Sequence, residues 1–168
     1  MRITEHIKVT PEEFFDFVDK SLLADITAAR GKKAKPSNLH EGYTYKKFLR
    51  GKADAAHAAT VRIVTYDRLH AYRSAVSTAQ GTSTMGYDVE PSGDGIDVTY
   101  VEDFEATGGV RAVFARAAGL VQSLGARGRV KSQLQALERS ILADRYSEPE
   151  DGDGASEAES DPVDDAAA

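Results

Sequence analysis

The chain opens on an alternation of apolar and polar positions. In residues 2–9, Ile3, Ile7 and Val9 fall on one face and Arg2, Thr4, His6 and Lys8 on the other. Period two over this length predicts a half-buried strand. The period then changes. Thr10 is a good helix N-cap, Pro11 suits the first helical position, and Glu13 stands three residues after the cap, the spacing of a capping box. Phe14, Phe15, Phe17, Val18, Leu22 and Ile26 recur at helical intervals. The helix should stop before Gly31, and a break, if there is one, belongs near Ser21. Val9 before the cap and Phe14 one turn in form a candidate hydrophobic staple.

A basic, breaker-rich loop, Gly31-Lys32-Lys33-Ala34-Lys35-Pro36-Ser37-Asn38, leads into four or five strand-like runs. These are residues 42–50, 58–66, 69–78, 82–90 and 96–105. Residues 58–66 put Val61 and Ile63 on one face and Arg62, Val64 and Tyr66 on the other. Asp67-Arg68 is a plausible tight connection, and Pro91-Ser92-Gly93-Asp94-Gly95 carries a hairpin signal. From Val110 onward a helical stripe, Val113, Phe114, Ala117, Leu120, Val121 and Leu124, continues through Val130, Leu134, Leu137, Ile141 and Leu142. Sequential strands joined by short turns and followed by a long helix predict an α+β fold. In it, a curved antiparallel sheet wraps around the C-terminal helix.

Charge changes the domain boundary. The net charge is −6, yet nine of the 27 acids lie in residues 147–168, which hold no Lys or Arg. Residues 1–146 therefore carry 18 acids against 21 bases, a net of about +3. An acidic stretch of Glu, Asp, Gly, Ser, Ala and Pro cannot bury enough surface to offset its ordering entropy. The expected organisation is a domain over 1–146 and a disordered acidic tail over 147–168. The 168-residue chain has no cysteine, which removes disulfides and thiolate metal sites. Its N-terminus lacks the apolar run of a signal peptide, and no apolar stretch has bilayer-spanning length. A cytoplasmic protein without stable membrane insertion is the expectation.

Residues 2–18, Gly42-Tyr43-Thr44-Tyr45, Gly86-Tyr87-Asp88-Val89 and Val98-Thr99-Tyr100-Val101-Glu102 resemble the short bacterial proteins grouped as domain-of-unknown-function family 3284. The resemblance spans roughly residues 1–146. The element order is also similar to the helix-grip superfamily of START-like and polyketide-cyclase-like domains (SRPBCC). The family brings no activity with it. The superfamily implies a pocket for an apolar small molecule, and function inferred from shared fold is analogy.

Six tyrosines, Tyr43, Tyr45, Tyr66, Tyr72, Tyr87 and Tyr100, stand in strand-like runs. A tyrosine offers a large apolar ring with one hydrogen-bonding tip, which suits a cavity for an amphipathic ligand. Ordinary strand packing is the plainer explanation. The expected cavity lies between sheet and C-terminal helix, with Tyr45, His70, Tyr72, Tyr100, Glu102, Phe114, Ala117 and Val121 as its ligand-binding residues. Ile3, Ile7, Val98 and Leu124 are expected to complete its wall. A glutamate in apolar surroundings has a raised pKa and can act as acid or base, so Glu102 or His70 could serve a cyclase or hydrolase. A solvated strand end explains Glu102 equally well, and no residue is assigned a catalytic role.

The four histidines lack metal-binding spacing, and phosphate-cradling, dinucleotide and nucleophile-elbow motifs are absent. No metal or cofactor is expected. Basic clusters at 30–35, 46–52 and 127–131 would suit phosphates, but a domain near +3 is weakly charged for nucleic acid, and none is expected as a partner. The expected partner is a small apolar or amphipathic molecule. The alternative is a ligand-free interaction module in which the stripe Val130–Leu142 outlasts the sheet and covers a partner helix, its own copy in a homodimer.

Overall fold

The computed structural model describes residues 1–49, 58–107 and 127–145. Its elements are β1 (Arg2–Ile7), α1 (Pro11–Arg30), a short 3-10 turn (Pro36–Asn38), β2 (Thr44–Phe48), β3 (Ala58–Asp67), β4 (Ala71–Thr78), β5 (Gly81–Ser92) and β6 (Gly95–Ala106). A C-terminal helix, α2, is described over 127–145. The strands form one antiparallel sheet in the order β1-β6-β5-β4-β3-β2. The first strand closes onto the last, with Arg2 opposite Val101 and Ile7 opposite Ile96. This is the curved-sheet-and-helix architecture that the element order predicts.

The N-terminal signals are realised atom by atom. The Glu13 amide donates to Thr10 Oγ1 (3.3 Å), and the Thr10 amide donates to Glu13 Oε2 (2.8 Å). Val9 and Phe14 are both buried in one cluster, as a staple requires. α1 runs unbroken past Ser21 for 20 residues and ends at Gly31, whose φ of 64° suits a left-handed C-cap.

Two apolar clusters divide α1 along its length. Phe14, Phe15 and Val18 pack with Ile3, Ile7, Val89, Ile96 and Val98 from the sheet and with Val130, Leu134 and Ile141 from α2. Ile26, nearer the other end, packs with Ala34, Leu39, Tyr45 and Val61. The apolar stripe of α2 is therefore covered within its own chain, with Leu137 and Leu142 packed against the same cluster. This overturns the expectation that Val130–Leu142 outlasts the sheet, and with it the basis for a homodimer through that face. Polar contacts fix α2 in place: the Lys8 amide donates to Glu138 Oε1 (2.8 Å), and Lys131 Nζ lies 3.3 Å from Glu5. Arg145 grips Glu13 with Nε (2.8 Å) and Nη2 (2.7 Å).

Two local departures from the sequence pattern matter for the site. The β3–β4 register shifts between Ile63 and Thr65, so Ile63 faces Ser74 and Tyr66 faces Tyr72. Such a β-bulge turns the residues beyond it onto the opposite face. Tyr66 therefore shares the concave face with Ile63, not the face of Arg62. The second departure is the turn Arg68–His70, which holds Leu69 at φ 83° and delays β4 until Ala71.

Glu13 serves both the α1 cap and the Arg145 pair, and the Arg145 guanidinium holds its carboxyl below the ordinary 4.5. A depressed carboxylate pKa stabilises the fold above the usual carboxylate range, and that contribution fades as pH falls through the lower folded value. Glu13→Gln keeps the capping geometry and removes the charge. Urea unfolding should show the variant less stable than wild type at neutral pH, with the gap closing in acid. A gap that does not change with pH would remove the ion pair as its cause. Thr10→Ala should cost about 1 kcal/mol, with little pH dependence above the carboxylate range.

Candidate functional site

Reading across the concave face, the register places Tyr66, Tyr72, Tyr87, Tyr100 and Ile3 in one row over five adjacent strands. Tyr87 and Tyr100 have ring centroids 5.8 Å apart, and Phe14 of α1 meets Tyr87 edge-on at 5.5 Å. On one side of the row the facing positions are large and apolar: Val89, Val98, Ile96 and Ile7, all buried. On the other side β5 shrinks along its length, from Met85 through Ser83 to Gly81, and β4 presents Ser74, Val76 and Thr78. Small side chains there cannot reach α1. A cleft of about 400 Å³ remains, lined by Leu22 and Asp25 of α1, Tyr45 and Lys47 of β2, Leu49, Val61, Tyr72, Ser74, Val76, Thr78, Gly81, Ser83, Met85 and Phe104.

The floor cannot easily be raised at Gly81. A Cβ there would lie 2.3 Å from the Glu105 carbonyl oxygen and 2.9 Å from the Phe104 ring. Phe104 is a large apolar side chain left 47% exposed, at the edge of the cleft.

The polar groups gather at the α1–β2 side. Lys47 Nζ donates to Asp25 Oδ1 (3.0 Å) and Oδ2 (2.8 Å), and the Tyr45 hydroxyl donates to the same Oδ2. Burial, then the hydrogen bond to the Asp25 carboxylate, keeps the Tyr45 phenol protonated far beyond its ordinary range. Burial also raises Tyr72, and Ser74, the one buried polar residue among the described residues, opposes that rise. Burial and the neighbouring Glu102 raise Tyr100. Tyr66, half-buried and bound to Asp19 through a 2.8 Å hydrogen bond, is pushed up to about 12. These phenols are hydrogen-bonding tips, not bases.

The sequence-derived residues divide. Tyr45 and Tyr72 line the cleft. Tyr100 stands in the tyrosine row, and Glu102 lies on the same face opposite the cleft residue Met85; neither lines the cleft. His70 is a correction. It sits in the Arg68–His70 turn, 68% exposed, with Nδ1 3.4 Å from Asp67, because that turn removes it from the strand whose face it was expected to share with Tyr72. Ile3, Ile7 and Val98 are packed core, since Phe14, Phe15 and α2 fill that end. Phe114, Ala117, Val121 and Leu124 lie outside the described residues, as does the acidic stretch 147–168. Sequence reasoning missed Asp25 and Lys47. Asp25 follows Leu22 by three positions on the helix, and Lys47 follows Tyr45 by two on the strand, so periodicity does place each pair on a common face. Among the described residues no group of acids and histidines could hold a metal ion. No helix there is long and apolar enough to cross a membrane.

A family model described as a domain of unknown function, DUF3284, matches residues 1–119. The chain belongs to the DUF3284 family. No curated protein matches it in sequence. Solved structures similar to this DUF3284 chain include Ara h 8.0201, at 13% identity and TM-score 0.53, covering 85% of this chain and 97% of that one. A conserved protein from Geobacillus kaustophilus matches at 19% identity and TM-score 0.51, covering 85% and 95%. Protein MLL2253 from Mesorhizobium loti matches at 15% and 0.53, covering 86% and 96%. At these identities the likeness establishes the helix-grip fold and nothing finer.

Tyr45 links the cleft chemistry to stability. A phenol whose folded pKa is raised stabilises fully below its ordinary value of 10.0, and that contribution is lost as pH rises towards the folded value. Tyr45→Phe should therefore lower stability at neutral pH by about 1–3 kcal/mol, with the deficit shrinking above pH 10.0. Denaturant unfolding at stepped alkaline pH tests this; a deficit that widened with pH would contradict the assigned bond.

Proposed function

We propose that this DUF3284 protein is a container: it holds a small apolar or amphipathic molecule in the cleft between α1, β2 and the open end of the sheet. One observation carries the reading. Among the described residues, the concave face is filled by large side chains on one side of the tyrosine row, while on the other the small residues of β4 and β5 leave a cleft beside Tyr45 and Val61, where apolar walls meet a few polar tips. Binding sites for small molecules share this composition, and about 400 Å³ falls within their usual size. The helix-grip fold of the similar structures supports the reading by analogy. A chemical step at Glu102 or His70 lacks comparable support, because neither side chain lines the cleft.

Filling the space tests the proposal. Ser83→Phe, with Met85→Phe as a milder companion, should leave unfolding free energy within about 1 kcal/mol of wild type. The same variants should weaken binding of the neutral dye Nile red at least about tenfold. A loss of about 3 kcal/mol or more would mean that the region is packed core. Unchanged dye binding by a folded variant would place the dye elsewhere and defeat the container reading. Native mass spectrometry of the protein purified from its own host should retain a small-molecule adduct that Ser83→Phe loses.

A further inference from the structure

The charges on the cleft wall bear on what the guest's polar end must be. Of the described side chains lining it, only Asp25 and Lys47 are charged, and they neutralise each other. An ammonium has three N–H donors. Two of those on Lys47 point at Asp25, one to each oxygen, which leaves the third for a guest. Asp25 in turn accepts from Lys47 at both oxygens and from Tyr45 at Oδ2, so Oδ1 is the less committed acceptor. The pair thus offers one donor and one acceptor side by side, in a neutral frame.

An anionic head group entering here would meet Lys47 together with the Asp25 carboxylate, and a cationic head group would meet the reverse. Either would shed its hydration for little net attraction. An uncharged head group loses far less hydration and can use both partners, its hydroxyl donating to Asp25 and its oxygen accepting from Lys47. We propose that the guest is a neutral amphipath, an alcohol or hydroxyketone in chemical class, whose polar end sits at Asp25–Lys47 and whose apolar part lies along Leu22, Val76 and Met85. This selection rests on the container reading, and it adds that the ion pair excludes charged head groups.

The test uses the full chain and three guests of equal chain length: 1-dodecanol, dodecanoate and dodecylammonium, each below its micellar concentration. Each competes with Nile red, read by fluorescence. In wild type, dodecanol should displace the dye with an apparent dissociation constant at least about fivefold lower than either charged guest. Asp25→Asn leaves Lys47 uncompensated and should move the preference to dodecanoate. Lys47→Met leaves Asp25 uncompensated and should move it to dodecylammonium.

A wild-type preference for a charged guest, or a rank order unmoved in both variants, overturns the head-group assignment while Nile red binding keeps the container. Failure of Nile red to bind wild type, or of all three guests to displace it, overturns both. Should a variant fail to fold by circular dichroism, the wild-type ranking decides alone.

Discussion

The structure depends on one row of rings. Four tyrosines, one from each strand of β3 to β6, stand side by side across the concave face, with Phe14 of α1 driven edge-on against Tyr87. Tyr87 and Phe14 meet across the gap between sheet and helix; farther along β5, past Met85, the serine and the glycine are too short to do so. The row is thus a partition. On its filled side, Phe14, Phe15 and the stripe of α2 cover the apolar face of β1, β5 and β6, and much of the driving force for folding resides there. On its other side Tyr45 and Val61 pack with Ile26 of α1, while the small residues of β4 and β5 keep their backbone pairing with less packing above them.

This division explains why the polar groups of the cleft cost so little. Asp25, Tyr45 and Lys47 satisfy one another at the α1–β2 side, and among the described residues no buried side-chain polar atom lacks a partner. A buried group without a partner carries a penalty of about 1–3 kcal/mol. The cleft therefore presents chemistry to a guest without leaving a strained or starved group behind when the guest is gone. The similar helix-grip structures share the frame; at the cleft wall of this chain Asp25, Tyr45 and Lys47 bring one carboxylate, one phenol and one ammonium together.

Much of the frame was legible from residue order. The Thr10-Pro11-Glu12-Glu13 signature located a helix start to the residue, because a cap is a local device built from adjacent side chains. The two-residue Gly93–Asp94 turn and the strand sequence were legible for the same reason. What periodicity could not supply was phase. One extra residue at Val64 put Tyr66 on the face opposite to that implied by counting, and three turn residues took His70 away from Tyr72. Neither follows from side-chain polarity, since both are decided by how β3 and β4 fit one another. The cleft itself was hidden for a related reason. Ser83 and Gly81 read as ordinary strand residues until the register sets them beneath Leu22 and beside Phe104.

The pairing of β1 with β6 fixes an order of events at birth. Residues 2–7 leave the ribosome well before residues 96–101, their hydrogen-bonding partners, so the earlier strand waits for the later one. Contacts so distant along the chain delay closure of the sheet. During that interval the apolar face of α1 has neither β6 nor α2 to cover it, and Phe14 and Phe15 face water. Apolar surface exposed in this way favours aggregation, so the interval before the sheet closes, when the cleft does not yet exist, is the vulnerable one.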